Sequence, residues 1–503
     1  MSVLAAIDLG SNAIRLAVAA LEASSKLALI ENFREPIRLG HDVFTNGVIS
    51  EEISKRALQA FKKFSALMKK YGVTHSRAVG TSALREARNR QVFIDRVASE
   101  SGIHLEVIEG EEEARLIHLA VSAKVDLRDK TALLVDIGGG SVEITLNRDG
   151  DIVFSDSMKM GAVRLKEMLG ESKREQREFL RMVKEYALGI KERLRNKLGR
   201  QALDLCIGTG GNIEAFGMLR TELLKEKSSS QISAAELGTL LEKLQGMSPE
   251  QRASDLGLRP DRADVIVPAG IVLLQLLQQV KAERLQIPGV GLKEGLLQEL
   301  IPETEVQRKA FRRRQIVAYA VAVGRKYEFD EQHAQTVAKF ALDLFDRTKP
   351  LHKLNSDSRL LLEVASLLHD VGQFINVNSH HKHSYYLLKA APFIGLNQGQ
   401  KDVVANIARY HRKALPKGDH SGFGELKQDD RERVKKLAAL LRLAEGLDRE
   451  RVRGVNEIDV DWDDKNFRLS LRGEGDLLLE KWAVCNKADL FEDVYKLKFK
   501  LKN

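Results

Sequence analysis

Residues 3–20 read VLAAIDLGSNAIRLAVAA, and residues 131–146 read TALLVDIGGGSVEITL. Each stretch is an apolar run, a short turn of glycine and small polar residues, and a second apolar run. That pattern predicts strand, tight turn, strand. Aligned without a gap, Asp8 falls on Asp136, Gly10 on Gly138, Asn12 on Gly140 and Arg15 on Glu143. One unit thus occurs twice, 128 residues apart, and the repetition predicts a duplicated domain.

Mixed α/β signals follow each copy. Residues 51–70 carry apolar residues at helical spacing (Ile53, Leu58, Phe61, Phe64, Leu67). SRAVGTSALREA (76–87) reads as strand, turn and helix start, and IHLEVIEGEEEARLIHLAV (103–121) as strand, loop and helix. LDLCIGTGGNIEAFG (203–217) is again an apolar run, a Gly-rich turn and a helix; 174–200 and 233–247 read as further helices. After residues 301–303 the character changes. From 305 to about 450 nearly everything reads as helix, and eight of the twelve histidines lie between His333 and His420. From 455 alternation returns in VNEIDVDW, NFRLSLRGEG, LLLEKWAV and VYKLKFKLK, which predicts a small β-containing terminal element. The expected division is 1–124, 125–302, 303–454 and 455–503.

A chain of 503 residues, 43% hydrophobic and 30% charged, can bury several cores and is too apolar for disorder. Two cysteines, Cys206 and Cys485, exclude a disulfide scaffold and a cysteine-rich zinc module. The net charge is +9, and residues 301–450 alone carry a surplus of +7. A basic block implies an acidic partner: nucleic acid, phosphate polymer or membrane surface. No segment reaches the roughly 18 apolar residues of a membrane span. The start, MSVLAAIDLG, lacks a basic leader and is interrupted by Asp8, so it reads as a strand of a cytoplasmic protein.

Three Gly-rich turns follow apolar strands: Asp8 to Asn12 with Gly10 and Ser11, Asp136 to Ser141 with Gly138, Gly139 and Gly140, and Gly208 to Asn212 with Gly210 and Gly211. Glycine lets backbone N–H groups approach an anion, and Ser or Asn adds a donor. GTSALR (80–85), with Thr81 and Arg85, is a fourth candidate turn at a helix N-terminus. An aspartate before such a turn repels phosphate unless a divalent cation lies between them. Asp136 and Asp8, with Glu143 assisting, therefore predict a Mg²⁺ site or that of another divalent cation. Neither GxGxxG in dinucleotide-binding form nor GxxxxGK[ST] is present, which argues against a nicotinamide cofactor and a P-loop nucleotide.

IDLGSNAIRL, GTSALREARN, IEGEEEARLI, VDIGGGSVEI, MGAVRL and GTGGNIEA occur in this order. Together they resemble the exopolyphosphatase/guanosine-pentaphosphate phosphohydrolase family of the actin/hexokinase/Hsp70-like superfamily. The resemblance implies two actin-like (ribonuclease-H-like) α/β lobes gripping phosphate, an all-α HD-type domain and a short terminal extension. It implies Glu113 as the catalytic glutamate that positions or deprotonates water, and Asp136 as the second essential carboxylate. It also implies a homodimer. Mg²⁺, backbone amides and Arg85 would neutralise the transferring phosphoryl group, with Arg15 and Arg164 as weaker candidates for gripping the chain. Glu111 and Glu112 stand beside Glu113, so a slip of one position stays open.

SLLHDVG (366–372) is similar to the His-Asp pair of HD-type metal phosphohydrolases. That resemblance implies a metal set of His333, His369, Asp370, His383, His411 and Asp448, with His380 or His381 able to replace His383. Gln373 stands where many such enzymes carry Lys, which weighs against independent catalysis.

The first functional expectation is an exopolyphosphatase that removes terminal phosphate from linear inorganic polyphosphate, with no membrane or sequence-specific nucleic-acid partner. Basic residues of the helical region (Arg312, Arg313, Arg314, Arg325, Lys326, Arg412, Lys413, Lys417) would hold the chain. The alternative is a guanosine pentaphosphate (pppGpp) 5′-phosphohydrolase on the same scaffold. A superfamily kinase and a non-enzymatic polyphosphate-binding protein rank below these.

Overall fold

The computed structural model describes residues 2–502 apart from 23–25, 302–304, 392, 394, 452, 453 and most of 169–201, of which 178, 179, 181–183, 185, 188, 189 and 192 are described. The helix read over 174–200 lies largely outside the described residues. The chain divides into two compact units, Met1–Lys309 and Ala310–Asn503.

The first unit holds two mixed sheets. The first sheet contains β1 (Val3–Leu9), β2 (Ile14–Leu21), β3 (Leu27–Glu35), β4 (His75–Gly80) and β5 (Leu105–Val107), in the order β3-β2-β1-β4-β5. The second contains β6 (Thr131–Ile137), β7 (Val142–Arg148), β8 (Asp151–Met158), β9 (Leu205–Thr209), β10 (Gln231–Ser233) and β11 (Arg284–Gln286), in the order β10-β11-β9-β6-β7-β8. In both, an antiparallel meander is extended by parallel strands beside its first strand. The repeat seen in the sequence is therefore a repeat of topology, that of two actin-like lobes. The register agrees as well: Asp8 faces Arg15 across one hairpin, and Asp136 faces Glu143 across the other.

Both faces of each sheet are covered. Along β1, Ala5 and Ile7 enter the core beneath the helices Glu51–Lys70 and Arg90–Ser101, while Leu4 and Ala6 enter a different core. Successive side chains of a strand alternate faces, so continuous apolarity along β1 reflects two buried faces. Along β6, Leu133, Val135 and Ile137 join the core of the second lobe, and Ala132 and Leu134 join the shared one. That shared core is built around Gly110–Ser122 and Leu292–Leu300, whose Leu116, Ile117, Ala120 and Leu296 meet residues of both sheets. The two helices pack closely because residue 295 is glycine: a Cβ there would overlap the Leu116 carbonyl. Local signals agree with the tertiary fold. Ser50 caps Glu51–Lys70 by accepting from the Ile53 N–H (3.3 Å), with Glu51 and Glu52 in its first turn and Lys69 and Lys70 in its last.

The second unit is mainly helical: Glu305–Lys326, Glu331–Arg347, Ser356–Leu368, His380–Ala390, Gln398–Arg409 and Gln428–Gly446, with side chains described from Arg312 onward. It ends in β12 (Val455–Trp462), β13 (Asn466–Gly473) and β14 (Lys498–Lys502), with Leu478–Asn486 and Asp489–Tyr495 between β13 and β14. LLLEKWAV, read as alternating, is thus a helix. Only one of its faces is buried, through Glu480, Ala483 and Val484, and Leu478, Leu479 and Trp482 stay exposed. Among the described residues, no helix is long and apolar enough to cross a membrane.

Candidate active site

A cavity of about 340 Å³ opens in the first unit, where the turns of both hairpins and the end of β9 converge. Glu113 enters it from the first turn of Gly110–Ser122 and Asp136 from the end of β6, and Glu143 of β7 lies beside them, behind the lining. One oxygen from each of these buried carboxylates lies within 4.8 Å of the others. Neighbouring hydrogen bonds settle which glutamate of the Glu-Glu-Glu run points inward. Glu112 is held by Arg115 (2.7 Å) and Arg77 (3.4 Å), and Glu113 alone of the three lines the cavity.

Thr209 donates to Asp136 Oδ1 (2.6 Å), and Ser157 donates to Glu143 Oε1 (2.9 Å). Glu113 Oε2 and Glu143 Oε2 are buried without a hydrogen-bond partner. Burial, reinforced by the negative charge of Glu143 and Asp136, raises the proton affinity of Glu113 well above the ordinary carboxylate range. Burial likewise moves Asp136 to about 6, and burial with the Asp136 charge moves Glu143 to about 7. Three inward carboxylates with two unpartnered oxygens are a hard, all-oxygen donor set that fits Mg²⁺. In the ion's absence, protons must make up part of that charge.

Two consequences are measurable. A carboxyl whose folded proton affinity is raised stabilises the fold while protonated, and that stability is lost as pH rises through the folded value. Metal-free protein should therefore melt at progressively lower temperature from about pH 5 to about pH 8. Asp136→Asn with Glu143→Gln should flatten the trend. Mg²⁺ affinity should rise over the same interval and release protons. Calorimetry in buffers of different ionisation enthalpy reads that release; its absence at pH 6.5 would contradict the assignment.

The cavity's other wall is cationic. Arg15, Arg34, Arg259, Arg262 and Lys293 line it. Burial and the nearby Arg15 and Arg259 charges lower the Arg262 guanidinium to about 9, with Asp261 opposing. Such crowding makes the wall receptive to an anion. Gly10, Ser11, Asn12, Thr81, Gly138, Gly139, Gly140, Ser141, Gly210, Gly211 and Asn212 all border this space, as their turns predict. Gly210 has φ +91°, and a Cβ there would stand 2.8 Å from the Ile137 carbonyl oxygen, so only glycine turns the chain here without strain.

Several expected residues lie elsewhere or are engaged differently. Gly208 is inside β9, where a Cβ would meet Leu285 and Ile213; its glycine serves packing, outside the cavity lining. Arg85 donates to the Ile108 carbonyl (2.5 Å) and pairs with Glu109 (3.6 Å), and it too is outside the lining. Asp8 lines the cavity but is neutralised by Arg15 (2.6 Å), outside the group of three carboxylates. Asn12 gives its amide to the Asp261 carbonyl (2.9 Å) and carboxylate (3.0 Å), and Asn212 accepts from Arg262 (3.2 Å). Arg164 donates to Glu86 (2.9 Å) and lies over the Phe44 ring.

Arg34, Arg259, Arg262 and Lys293 escaped the reading of the sequence. A signal existed for Lys293, since β11 is followed by PGVGLKEG (288–295), another glycine-flanked turn opening a helix. Its Gly291 N–H donates to Glu294 (2.8 Å). Arg34 and the Arg259–Arg262 segment carry no local mark.

In the second unit, His333, His369, Asp370, His380 and His411 cluster at the C-terminal end of Ser356–Leu368, with Asp448 bonded to His333 (2.7 Å). His383, which the resemblance implies, is outside both candidate ligand groups, and His380 takes that place. His380 and His383 are three positions apart in one helix, and the tertiary fold selects between them.

The site defines a two-lobed phosphate-handling protein with a carboxylate floor, and similarity to known proteins gives its family. The chain matches the Ppx/GppA phosphatase family over residues 17–304 and domain III of Ppx/GppA phosphatases over residues 316–487. It belongs to the Ppx/GppA phosphatase family, whose members hydrolyse phosphoanhydride bonds. Guanosine-5′-triphosphate,3′-diphosphate pyrophosphatases of Photobacterium profundum and Vibrio vulnificus are 26% and 28% identical to it over 415 and 417 residues. These alignments span 82% of this chain in each case and 80% and 81% of the relatives. Among solved structures, an exopolyphosphatase from Cytophaga hutchinsonii is 28% identical, with a TM-score of 0.56, over 61% of this chain and 99% of that one. An Aquifex aeolicus family member shares the fold at 24% identity and a TM-score of 0.53, over 60% of this chain and 99% of that one.

Proposed function

We propose that the chain is an exopolyphosphatase that hydrolyses the terminal phosphate of linear inorganic polyphosphate. The observation that carries the reading is the cavity's chemistry: arginines and glycine turns line it together with Glu113 and Asp136, with no aromatic residue among its described lining. Repeating phosphates can draw on several cationic and backbone donors at once, whereas a guanine base gains most from an aromatic face.

Water attacks the terminal phosphorus, a new P–O bond forms, and the bridging P–O bond breaks to release orthophosphate from the shortened chain. Glu113 receives the proton of that water, and its raised proton affinity suits a general base near neutral pH. Asp136 and Glu143 would hold Mg²⁺, which when bound neutralises charge on the phosphoryl oxygens. The arginine wall orients the chain.

Some basic residues of the second unit are engaged within it. Arg313 pairs with Glu363, Arg325 pairs with Glu331 (2.7 Å), and Arg312 donates to the Gly395 carbonyl (3.0 Å). Lys413 and Lys417, exposed beside Arg412, are better placed to grip a polyanion. Lys413→Gln with Lys417→Gln should weaken long-chain affinity by several-fold and reduce its salt dependence, leaving short chains unaffected. Equal salt slopes for variant and parent would exclude that role.

The second reading, guanosine pentaphosphate hydrolysis, is favoured by the relatives that carry this name. Initial rates on long polyphosphate and on guanosine pentaphosphate, measured side by side with Mg²⁺, separate the two. A higher kcat/KM on the nucleotide would overturn the first. The same reading carries a cytoplasmic homodimer, tested by fractionation and sedimentation.

A further inference from the structure

The helix that carries Glu113 lies along a row of polar side chains on the second lobe's sheet. On β7, Val142, Ile144 and Leu146 enter the second lobe's core, so Glu143, Thr145 and Asn147 face the other way. Ser157 and Ser155 of β8 stand opposite Glu143 and Thr145 in register. Helix Gly110–Ser122 meets this face at two points. At one end Gly110 lies against Ser157, the residue that donates to Glu143, and a Cβ at 110 would stand 2.6 Å from the Ser157 Cβ. At the other end Asn147 donates from Nδ2 to His118 Nε2 at 2.8 Å.

A neighbour fixes the direction of that bond. Asn147 Oδ1 accepts the Gly150 N–H (3.2 Å), which leaves the amide nitrogen for His118. His118 therefore presents Nε2 as a lone pair, which also lies 3.3 Å from the Ser122 hydroxyl. Both His118 and Asn147 are fully buried.

The spacings on helix and strand agree. Gly110 and His118 are eight residues apart, about 12 Å along a helix. Glu143 and Asn147 are four residues apart, about 13 Å along a strand. The helix thus runs beside β7 in matched register, and Glu113 reaches Glu143 and Asp136 near its start. Between the two contacts the sheet offers the small hydroxyls of Thr145 and Ser155, whose shape does little to oppose sliding. A slip of one helical turn would move Glu113 by about 5.4 Å, more than the 4.8 Å within which the three carboxylates gather. The same slip would leave a buried amide and a buried imidazole unpaired, which is costly.

We propose, on the reading of Glu113 as the base, that Asn147 and His118 are a positioning pair: their buried hydrogen bond sets the register of the helix that carries Glu113 on the strand that carries Glu143. Neither residue lines the cavity, so the pair acts through Glu113 and touches no substrate. A single buried asparagine fixes the register of packed helices in the same way.

Kinetics and Mg²⁺ binding of the full chain test the pair. His118→Leu should lower kcat by about 100-fold, the cost of displacing a reacting group by about an ångström, with KM for polyphosphate near the parent value because the cationic wall is untouched. Mg²⁺ affinity, read by calorimetry without substrate, should fall by about tenfold. His118→Gln, whose amide oxygen can take the place of Nε2 and accept from Asn147, should restore both. Where His118→Leu does not fold, His118→Leu with Asn147→Leu takes its place, since apolar groups on both sides leave no buried partner unpaired. A folded variant with parental kcat and Mg²⁺ affinity would overturn the proposal, and so would equal losses in His118→Gln and His118→Leu. Glu113→Gln, measured alongside, tests the base by itself: full activity there removes the base and leaves the Mg²⁺ affinities to decide the register.

Discussion

Glu113→Gln is expected to lower the rate of phosphate release from polyphosphate by about 10²–10⁴-fold while leaving chain affinity within a few-fold. The substitution keeps the shape of the side chain and removes its capacity to take a proton from water. Affinity survives because the cationic wall, with Arg15, Arg34, Arg259, Arg262 and Lys293, is untouched. A second readout separates this role from a structural one. Glu113 shares a buried space with Asp136 and Glu143, and their mutual repulsion is relieved when one becomes neutral. The variant should therefore melt higher than the parent in the metal-free state at pH 8, becoming more stable as it loses activity. Loss of activity with loss of stability would mark Glu113 as structural, and unchanged hydrolysis would remove it from the mechanism. Glu112→Gln provides the contrast. It weakens the Arg115 and Arg77 contacts, so it should cost stability before it costs kcat.

The second large effect is expected at Gly140. A Cβ there would run into Ser82 Oγ and come within 2.5 Å of Phe44 and 2.8 Å of Ser11 Oγ. Ser11 and Ser82 belong to the first lobe and are hydrogen-bonded to each other (3.1 Å), whereas Gly140 is on the second lobe's hairpin turn. The glycine is therefore where the two duplicated turns close on each other, and a methyl group would hold them apart. Gly140→Ala should lower kcat/KM by about 100-fold, the cost of displacing reacting groups by about an ångström, and destabilise by about 1–3 kcal/mol through overpacking. Gly10→Ala is the internal comparison. Its Cβ would find only ordinary contacts at 3.4–3.8 Å, and its effect should be several-fold at most. If the two alanine variants behave alike, the closing role of Gly140 is wrong.

Much of the molecule can be read locally. The repeat of VLAAIDLGSNAIRL in TALLVDIGGGSVEI foretells both hairpins and the pairing of Asp8 with Arg15 and Asp136 with Glu143 across them. Hairpin geometry and two-residue periodicity are short-range properties. The segment LLLEKWAV misleads for the same reason, since a short run of apolar residues does not reveal whether one face or two will be covered. Gly208 looked like part of a phosphate-binding turn because every glycine after a strand looks alike. Its packing against Leu285, contributed by β11 far along the chain, shows only in the folded structure.

The sequence by itself determined the class of fold, the two acidic strand ends and the glycine turns that border the cavity, because each is encoded within a dozen neighbouring residues. Only the tertiary structure decided which glutamate of 111–113 faces inward, that Arg34, Arg259 and Arg262 line the cavity, and that His380 replaces His383 beside Asp370. Those outcomes depend on charges and lone pairs brought together from separate helices, strands and loops, whose pairing energies exist only once the helices and sheets have packed.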